Sequence, residues 1–95
     1  MAIRALIERE IKTGSEIKIH HLLLQLRSKA MQAKGYISGE TLRALDNPNK
    51  FLVISTWNSL AEWEAWDRDP TRQEIQVEID KLLRHPAKTS VYIYG

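Results

Sequence analysis

The sequence predicts a small α+β domain whose elements follow the order β-α-β-β-α-β. Two β-rich runs, residues 36–44 and 50–57, flank an Asn/Asp/Pro cluster at residues 46–49, and such clusters favour the turn of a hairpin. At Ser59 the hydrophobic period changes from two to about 3.6, which indicates a strand that leads into a helix. A strand-like run and a long helical run precede this unit, and a second helical run and a last strand-like run follow it.

The segment before the hairpin predicts a strand and a long helix. Residues 3–11 alternate apolar and polar side chains and include several β-branched residues, as strands do. A helix is predicted over residues 16–33, ended by Gly35 in a left-handed conformation. Its inward stripe comprises Ile19, Leu22, Leu23, Leu26, Ala30 and Ala33. Ile17, Leu24 and Met31 lie on a flank of this stripe, so the helix is expected to touch a second element or another subunit.

The segment after the hairpin predicts a broken helix and a final strand. Ser59 and Glu62 form a capping-box pattern, which starts a short helix over residues 60–68. Asp69 followed by Pro70 is typical of a new N-cap and first helical position. The second helix is expected to continue to about Arg84. Its inward residues are Ile75, Ile79, Leu82 and Leu83, and a strand over residues 89–94 completes the chain.

This order is the split βαβ, or ferredoxin-like, arrangement, with a four-stranded antiparallel sheet. Right-handed crossovers place all the helices on one side of the sheet, so the other face is left bare. Soluble monomers seldom expose an apolar face as large as one side of a four-stranded sheet. The sequence therefore predicts a homodimer in which two sheets pack face to face.

Composition limits the functional classes. The 95 residues form one domain, residues 1–95, with no cysteine and a net charge of +2. The missing thiols exclude disulfides and thiolate chemistry, and the small charge does not indicate a nucleic-acid partner. No apolar run approaches the ~20 residues that span a bilayer, so no membrane partner is expected. The charged first twelve residues lack the apolar core of a signal peptide, which predicts a cytoplasmic protein.

The central motifs also carry a family resemblance. The segment Gly-Tyr-Ile-Ser-Gly-Glu at residues 35–40, the turn at residues 46–49, the strand ending in Trp57 and the helix with Trp63 and Trp66 resemble the antibiotic biosynthesis monooxygenase (ABM) family of dimeric α+β barrels. The resemblance implies a homodimer with a cavity between each sheet and its own helices. That family includes cofactor-independent oxygenases of quinols and aromatic polyketides, haem-degrading enzymes, and proteins without known activity.

The haem-degrading branch can be tested by position. Its motif has an Asn on the first strand, a Trp on the short helix, and a His ten residues after that Trp. Trp66 matches the Trp, but Ile7 stands near the Asn position and Gln76 at the His position. Because glutamine cannot replace the imidazole that ligates haem iron, haem degradation is not expected.

Four residues are candidates for substrate binding. Trp63 and Trp66 lie one helical turn apart, so they either pack in the core or wall a flat aromatic pocket, for which the resemblance favours Trp66. Gln76 borders the inward face of the third helix and either bonds the backbone or points into a wet cavity. Arg27 lies with His20 in a stripe along the first helix and either contacts substrate or extends over apolar surface into water.

His20 is the candidate general base, because a cofactor-free oxygenase needs a deprotonated substrate to reduce O2. The alternative is that His20 merely covers apolar surface. The three histidines lack metal-ligand spacing, so neither a metal nor a cofactor is expected.

Two functions remain open at this point. The first is a cofactor-independent monooxygenase in which a quinol or phenolic molecule lies against Trp66, His20 takes its proton, and O2 reacts directly. The second is a non-catalytic ligand-binding or assembly module of the same fold. The two differ in whether space is left between the sheet and its helices.

Overall fold

The computed structural model describes residues 1–94 and confirms the predicted order of elements. The bounds are β1 Ile3–Glu10, α1 Glu16–Ala30, β2 Tyr36–Arg43, β3 Lys50–Trp57, α2 Leu60–Asp67, α3 Pro70–Asp80 and β4 Lys88–Ile93. Two helices are shorter than predicted. α1 ends at Ala30, and residues 31–35 form a turn in which Gly35 has φ +87°. α3 ends at Asp80, and an isolated bridge joins Leu83 to Ile11.

The four strands form one antiparallel sheet in the order β2-β3-β1-β4. β1 lies between β3 and β4, with Ile3 opposite both Trp57 and Ile93. The register of β2 against β3 shifts between Tyr36 and Ser38. This strand order and the antiparallel pairing make the chain a ferredoxin-like α+β domain.

The core lies between the sheet and the helices. Alternate residues of β1 point inward, and Ile3, Ala5 and Ile7 are buried there. Phe51 and Trp57 of β3 are buried on the same side of the sheet. The helices contribute Ile19, Leu26, Ala30, Trp63, Trp66, Ile75 and Ile79. A single apolar cluster therefore joins all three helices to the two central strands.

Side-chain caps fix where α2 and α3 begin. The Ser59 hydroxyl accepts from the Glu62 amide at 3.2 Å and donates to the Glu62 carboxylate at 3.0 Å. The Asp69 carboxylate accepts from the amides of Thr71 and Arg72 at 2.8 and 3.1 Å. Both predicted N-caps are confirmed, although the Glu62 carboxylate bonds the Ser59 hydroxyl and not the Ser59 amide of a full capping box. The Asp69 cap sets the position of Arg72.

The sheet face opposite the helices carries apolar side chains. Leu6 lies opposite Ile54 in the register of β1 and β3, and neither side chain is fully buried. Leu42 and Tyr92, on the two edge strands, are exposed. No helix within residues 1–94 is long and apolar enough to cross a membrane.

The flank of α1 finds no partner within the described chain. Ile17, Leu24 and Met31, which were expected to touch a second element or another subunit, are exposed.

Candidate functional site

A cavity lies between the sheet and the helices. Strands β1, β2 and β3 form its floor, and α1, α2 and the start of α3 form its roof. Its volume is about 60 Å³, and it opens to solvent at one side. The volume suffices for a few water molecules but is below the ~150 Å³ of a cavity that encloses benzene. A ring could enter only if side chains at the mouth moved.

Four aromatic side chains wall the cavity. The Trp57 and Trp66 rings are stacked, with centroids 6.2 Å apart and an interplanar angle of 22°. Trp63 and Tyr36 meet Trp57 edge to face, at 5.8 and 5.4 Å. The Trp57 indole is inaccessible to solvent and donates to the Ser55 hydroxyl at 3.0 Å. Aromatic pairs in these arrangements stabilise one another, so the four rings form one packed cluster.

Gly39 leaves room for one member of this wall. A Cβ at position 39 would lie 2.6 Å from the Tyr36 hydroxyl oxygen. A larger residue there would displace the tyrosine ring from the cavity.

Two arginines line the same cavity. Arg9 follows Ile3, Ala5 and Ile7 on the inward side of β1, and only 1% of it is exposed. Arg72 lies in the first turn of α3 and is 5% exposed. Charged side chains are seldom buried to this extent unless they are paired.

The two guanidinium groups are only partly satisfied. Arg9 Nη2 donates to the Gln76 side-chain oxygen at 2.9 Å, and Arg72 Nη1 lies 3.3 Å from both the backbone and a carboxylate oxygen of Asp67. Arg9 Nε and Nη1 and Arg72 Nε are buried without a hydrogen-bond partner among the described residues. The Arg72 guanidinium carbon also lies 5.9 Å from the centroid of the Trp63 ring, within the range of a cation–π contact.

Burial alters the acidity of both groups. The pKa of Arg9 is lowered to about 10, chiefly by burial and also by the charge of Arg72, while Asp80 opposes the change. Burial also lowers the pKa of Arg72, against the effect of Asp67 and Asp80. Both arginines are still cations at neutral pH. The inner wall of the cavity is therefore positively charged. The carboxylates that act on it, Asp67 and Asp80, are at least partly exposed to solvent.

Arg27 lies at the mouth. Its Nη2 donates to the Gly39 carbonyl at 3.0 Å and so links α1 to β2. Leu23, Arg27 and Thr41 line both this cavity and a second cleft of about 170 Å³. His20 lines that second cleft. Movement of the shared side chains would join the two spaces.

The predicted site residues lie in three places. Trp63, Trp66 and Arg27 line the aromatic cavity. Gln76 is half-buried behind the cavity, where it accepts from Arg9 and donates to Asp80 at 2.8 Å. His20 is exposed in the second cleft and does not line the first.

Arg9, Arg72 and Tyr36 line the cavity but were not among the site residues predicted from the sequence. A signal was present for both arginines. Arg9 continues the inward alternation of β1, and Arg72 precedes Ile75 by three residues, which places it on the buried stripe of α3. A charge at an inward position is the feature to look for.

No group of three or more His, Asp or Glu side chains in residues 1–94 is arranged to hold a metal ion.

The fold defines a ferredoxin-like α+β domain with a small cavity between its sheet and its helices. The sequence pattern of one family, antibiotic biosynthesis monooxygenase, matches residues 2–78. The chain belongs to this family.

Known proteins of similar sequence and fold agree with this assignment. Protein SchA of Streptomyces halstedii is 23% identical over 91 residues, which make up 94% of this chain and 24% of SchA. The chain thus spans about a quarter of that relative. A conserved protein from Methanosarcina mazei Go1 has a TM-score of 0.94 at 18% identity and covers 100% of this chain and 94% of its own.

SnoaB, a cofactor-independent oxygenase from Streptomyces nogalater, has a TM-score of 0.89 at 11% identity. The match covers 99% of this chain and 93% of that chain. Identities this low show a common fold.

Proposed function

We propose that the domain is a cofactor-independent monooxygenase of a quinol or phenolic small molecule. The observation that supports this function is the aromatic cavity between sheet and helices with two buried guanidinium groups on its inner wall. Aromatic walls suit a planar ring, and cations favour the deprotonated form of a phenol. The similarity in fold to SnoaB, which is described as a cofactor-independent oxygenase, supports the same class of chemistry.

The reaction needs no electrons from outside the substrate. Loss of a proton gives a phenolate or carbanion, which adds O2 at carbon to form a peroxide. Elimination of water from that peroxide leaves a carbonyl. One oxygen atom enters the product, the other leaves as water, and the substrate supplies all four electrons. The protein contributes the orientation of the ring, a base and a stabilised anion.

Substrate binding in this proposal requires the mouth to open. Because the cavity is smaller than an aromatic ring needs, Leu23 and Arg27 would move and join the cavity to the cleft that contains His20. A ring against Trp66 would then extend toward His20, which would act as the general base. Arg27 would give up its bond to Gly39 when substrate enters.

Oxygen uptake with a panel of hydroquinones tests the activity. We expect substrate-dependent uptake that falls by ~100-fold or more in His20→Gln, since general bases contribute about that factor. His21→Gln is the matched control, because His21 is exposed and borders neither the cavity nor the cleft of His20. Uptake equal in His20→Gln and wild type would remove His20 as the base. No uptake with any hydroquinone would contradict the proposed oxygenase.

A second function is favoured by the cavity volume. Trp57, Trp63 and Trp66 pack against one another and leave about 60 Å³, which is what a non-catalytic binding or assembly module would show. In that case ligands would shift the tryptophan fluorescence while no hydroquinone promoted oxygen uptake.

We also propose that two copies associate through the bare sheet face. Leu6, Leu42, Ile54 and Tyr92 lie on that face, and a second copy would cover them. Glu8 and Lys50, whose charged atoms lie 3.7 Å apart, supply charges of both signs beside this face, and a two-fold interface would bring the same patch of each copy together.

Sedimentation at micromolar concentration tests the association. Wild type should have the mass of a dimer, and Ile54→Glu should weaken the dimer by ~100-fold or more, because a carboxylate would be buried without a partner. Val77→Glu on the exposed surface of α3 is the matched control. A monomeric wild type would contradict the proposed dimer. The cytoplasmic location is unaffected by this test and stays a prediction from the sequence.

A further inference from the structure

The unpaired polar groups of the cavity belong to one pair of side chains. Arg9 comes from β1 and Arg72 from α3, and both guanidinium groups border the same small space. Within residues 1–94, Arg9 has no carboxylate at ion-pair distance, and its guanidinium bonds only the neutral amide of Gln76. Arg72 has one ion pair, with Asp67, whose side chain is about half exposed.

Such an arrangement is costly for the folded protein. Of the buried side-chain nitrogens that lack partners among the described residues, three belong to this pair: Arg9 Nε, Arg9 Nη1 and Arg72 Nε. Buried cations that are neither paired nor fully hydrogen-bonded destabilise a fold, and apolar side chains of the same size would remove that cost. The cost is offset if a ligand supplies the missing acceptors.

The surrounding residues indicate the charge and shape of that ligand. Three unpartnered guanidinium nitrogens call for an anionic oxygen, because carboxylates and phenolates accept short, charge-assisted bonds from arginine. Trp57, Trp63 and Trp66 beside them call for a planar group. The carboxylates nearest the arginines, Asp67 and Asp80, and the Glu40 side chain at the mouth are at least partly exposed to solvent, where their repulsion of an incoming anion is screened.

We propose that the cavity is an anion-binding site in which Arg9 and Arg72 hold the carboxylate or phenolate oxygen of an aromatic molecule whose ring lies against the tryptophans. This inference rests on the proposed function and narrows its substrate class to aromatic molecules that bind as anions. Arg9 and Arg72 are binding residues in this view, and Gln76 positions Arg9 through its hydrogen bond.

Binding of two matched probes tests the site without any turnover. Benzoate and benzamide have nearly the same shape, but only benzoate is charged at neutral pH. Titration by ¹H–¹⁵N NMR should show benzoate shifting the indole resonances and binding at least about tenfold more tightly than benzamide, the range expected for a charge-assisted hydrogen bond. Equal affinity for the two probes, or no binding of benzoate at millimolar concentration, would overturn the proposal.

Three arginine variants locate the effect. Arg9→Met and Arg72→Met should each weaken benzoate binding by about 10- to 100-fold and leave benzamide binding nearly unchanged. Arg68→Met is the matched control, since Arg68 is exposed at the α2–α3 junction and does not border the cavity. Benzoate affinity unchanged in both cavity variants would overturn the assignment. If one variant fails to fold, the other and the wild-type comparison of probes still decide.

A third probe distinguishes the two anionic groups. 4-Nitrophenol becomes yellow when it ionises, so binding as a phenolate would raise that absorption at a fixed pH slightly below its solution pKa. The increase should disappear in Arg9→Met. Binding of benzoate without this increase would assign the site to carboxylates, and the increase without benzoate binding would assign it to phenolates.

Failure of this site and failure of the oxygenase can be told apart. Probe binding that follows the arginines while no hydroquinone promotes oxygen uptake would retain the anion site and reject the oxygenase. Oxygen uptake that persists in both Arg9→Met and Arg72→Met would retain the oxygenase and reject the anion site.

Discussion

Replacing Arg9 by methionine should stabilise the free protein, although it removes a hydrogen bond. Methionine has a similar length, and it fills the space without a charge or an unsatisfied donor. Arg9 is 1% exposed, and two of its nitrogen atoms lack partners among the described residues. The substitution therefore removes a buried cation from a place where the protein alone does not satisfy it.

The magnitude follows from the pKa of Arg9, which burial lowers to about 10. At ~1.4 kcal/mol for each pKa unit, the folded protein disfavours the charged form by about 3 kcal/mol. Loss of the bond to Gln76 leaves that half-buried amide without one partner and costs about 1 kcal/mol. The free energy of unfolding should rise by about 2 kcal/mol, which is roughly 8–16 °C in melting temperature for a chain of this size.

The gain should depend on pH in one direction. In the unfolded chain Arg9 has its ordinary, higher pKa, so above pH 10 the unfolded state binds more protons than the folded state. The destabilisation of wild type is complete below pH 10 and is relieved as the pH rises through that value. The advantage of Arg9→Met should accordingly be constant near neutral pH and shrink above pH 10.

Urea and thermal unfolding followed by circular dichroism would measure the difference, at one protein concentration because association also stabilises the fold. Arg68→Met, at an exposed position, should change the free energy of unfolding by less than ~0.5 kcal/mol. A loss of stability in Arg9→Met would refute the reasoning, since it would mean that the buried guanidinium is satisfied within the folded chain.

Four further substitutions test local features. Gly35→Ala and Gly14→Ala both place a side chain at positive φ, which costs ~1 kcal/mol. Only a Cβ at position 35 would also meet the Glu62 side chain, at 2.5 Å. Urea unfolding should therefore show a larger loss of stability in Gly35→Ala, and equal losses would discount that contact. Ser55→Ala removes the acceptor of the buried Trp57 indole and should cost ~1–3 kcal/mol by the same measurement. Asp69→Ala should cost about 1 kcal/mol and increase amide exchange in the first turn of α3, and unchanged exchange there would show that Asp69 does not hold that turn.

Elements set by neighbouring residues were predicted well. The caps at Ser59 and Asp69 depend on hydrogen bonds that span two or three residues, and both occur where the sequence placed them. The turn between β2 and β3 likewise depends on a few residues. The end of α1 was predicted one turn too late because residues 31–33 are compatible with a helix, while the path of the chain into β2 requires a turn before Gly35.

The candidate site was predicted in part. Trp63 and Trp66 border the cavity because their spacing on α2 turns both toward the core. The place of His20 depends on how α1 rotates against the sheet, and that rotation puts it in a neighbouring cleft. Its role as a base stays a prediction.

The sequence by itself determined the order of elements, the inward and outward faces of β1 and the start of each helix after β3, because period and capping act over a few residues. Only the tertiary structure decided that Arg9 and Arg72 border one cavity and that Arg27 lies at its mouth. Residues this distant in the chain meet only through strand register and the packing of α3 on the sheet. The volume left between the tryptophans depends on those same contacts, and it sets which ligands can enter.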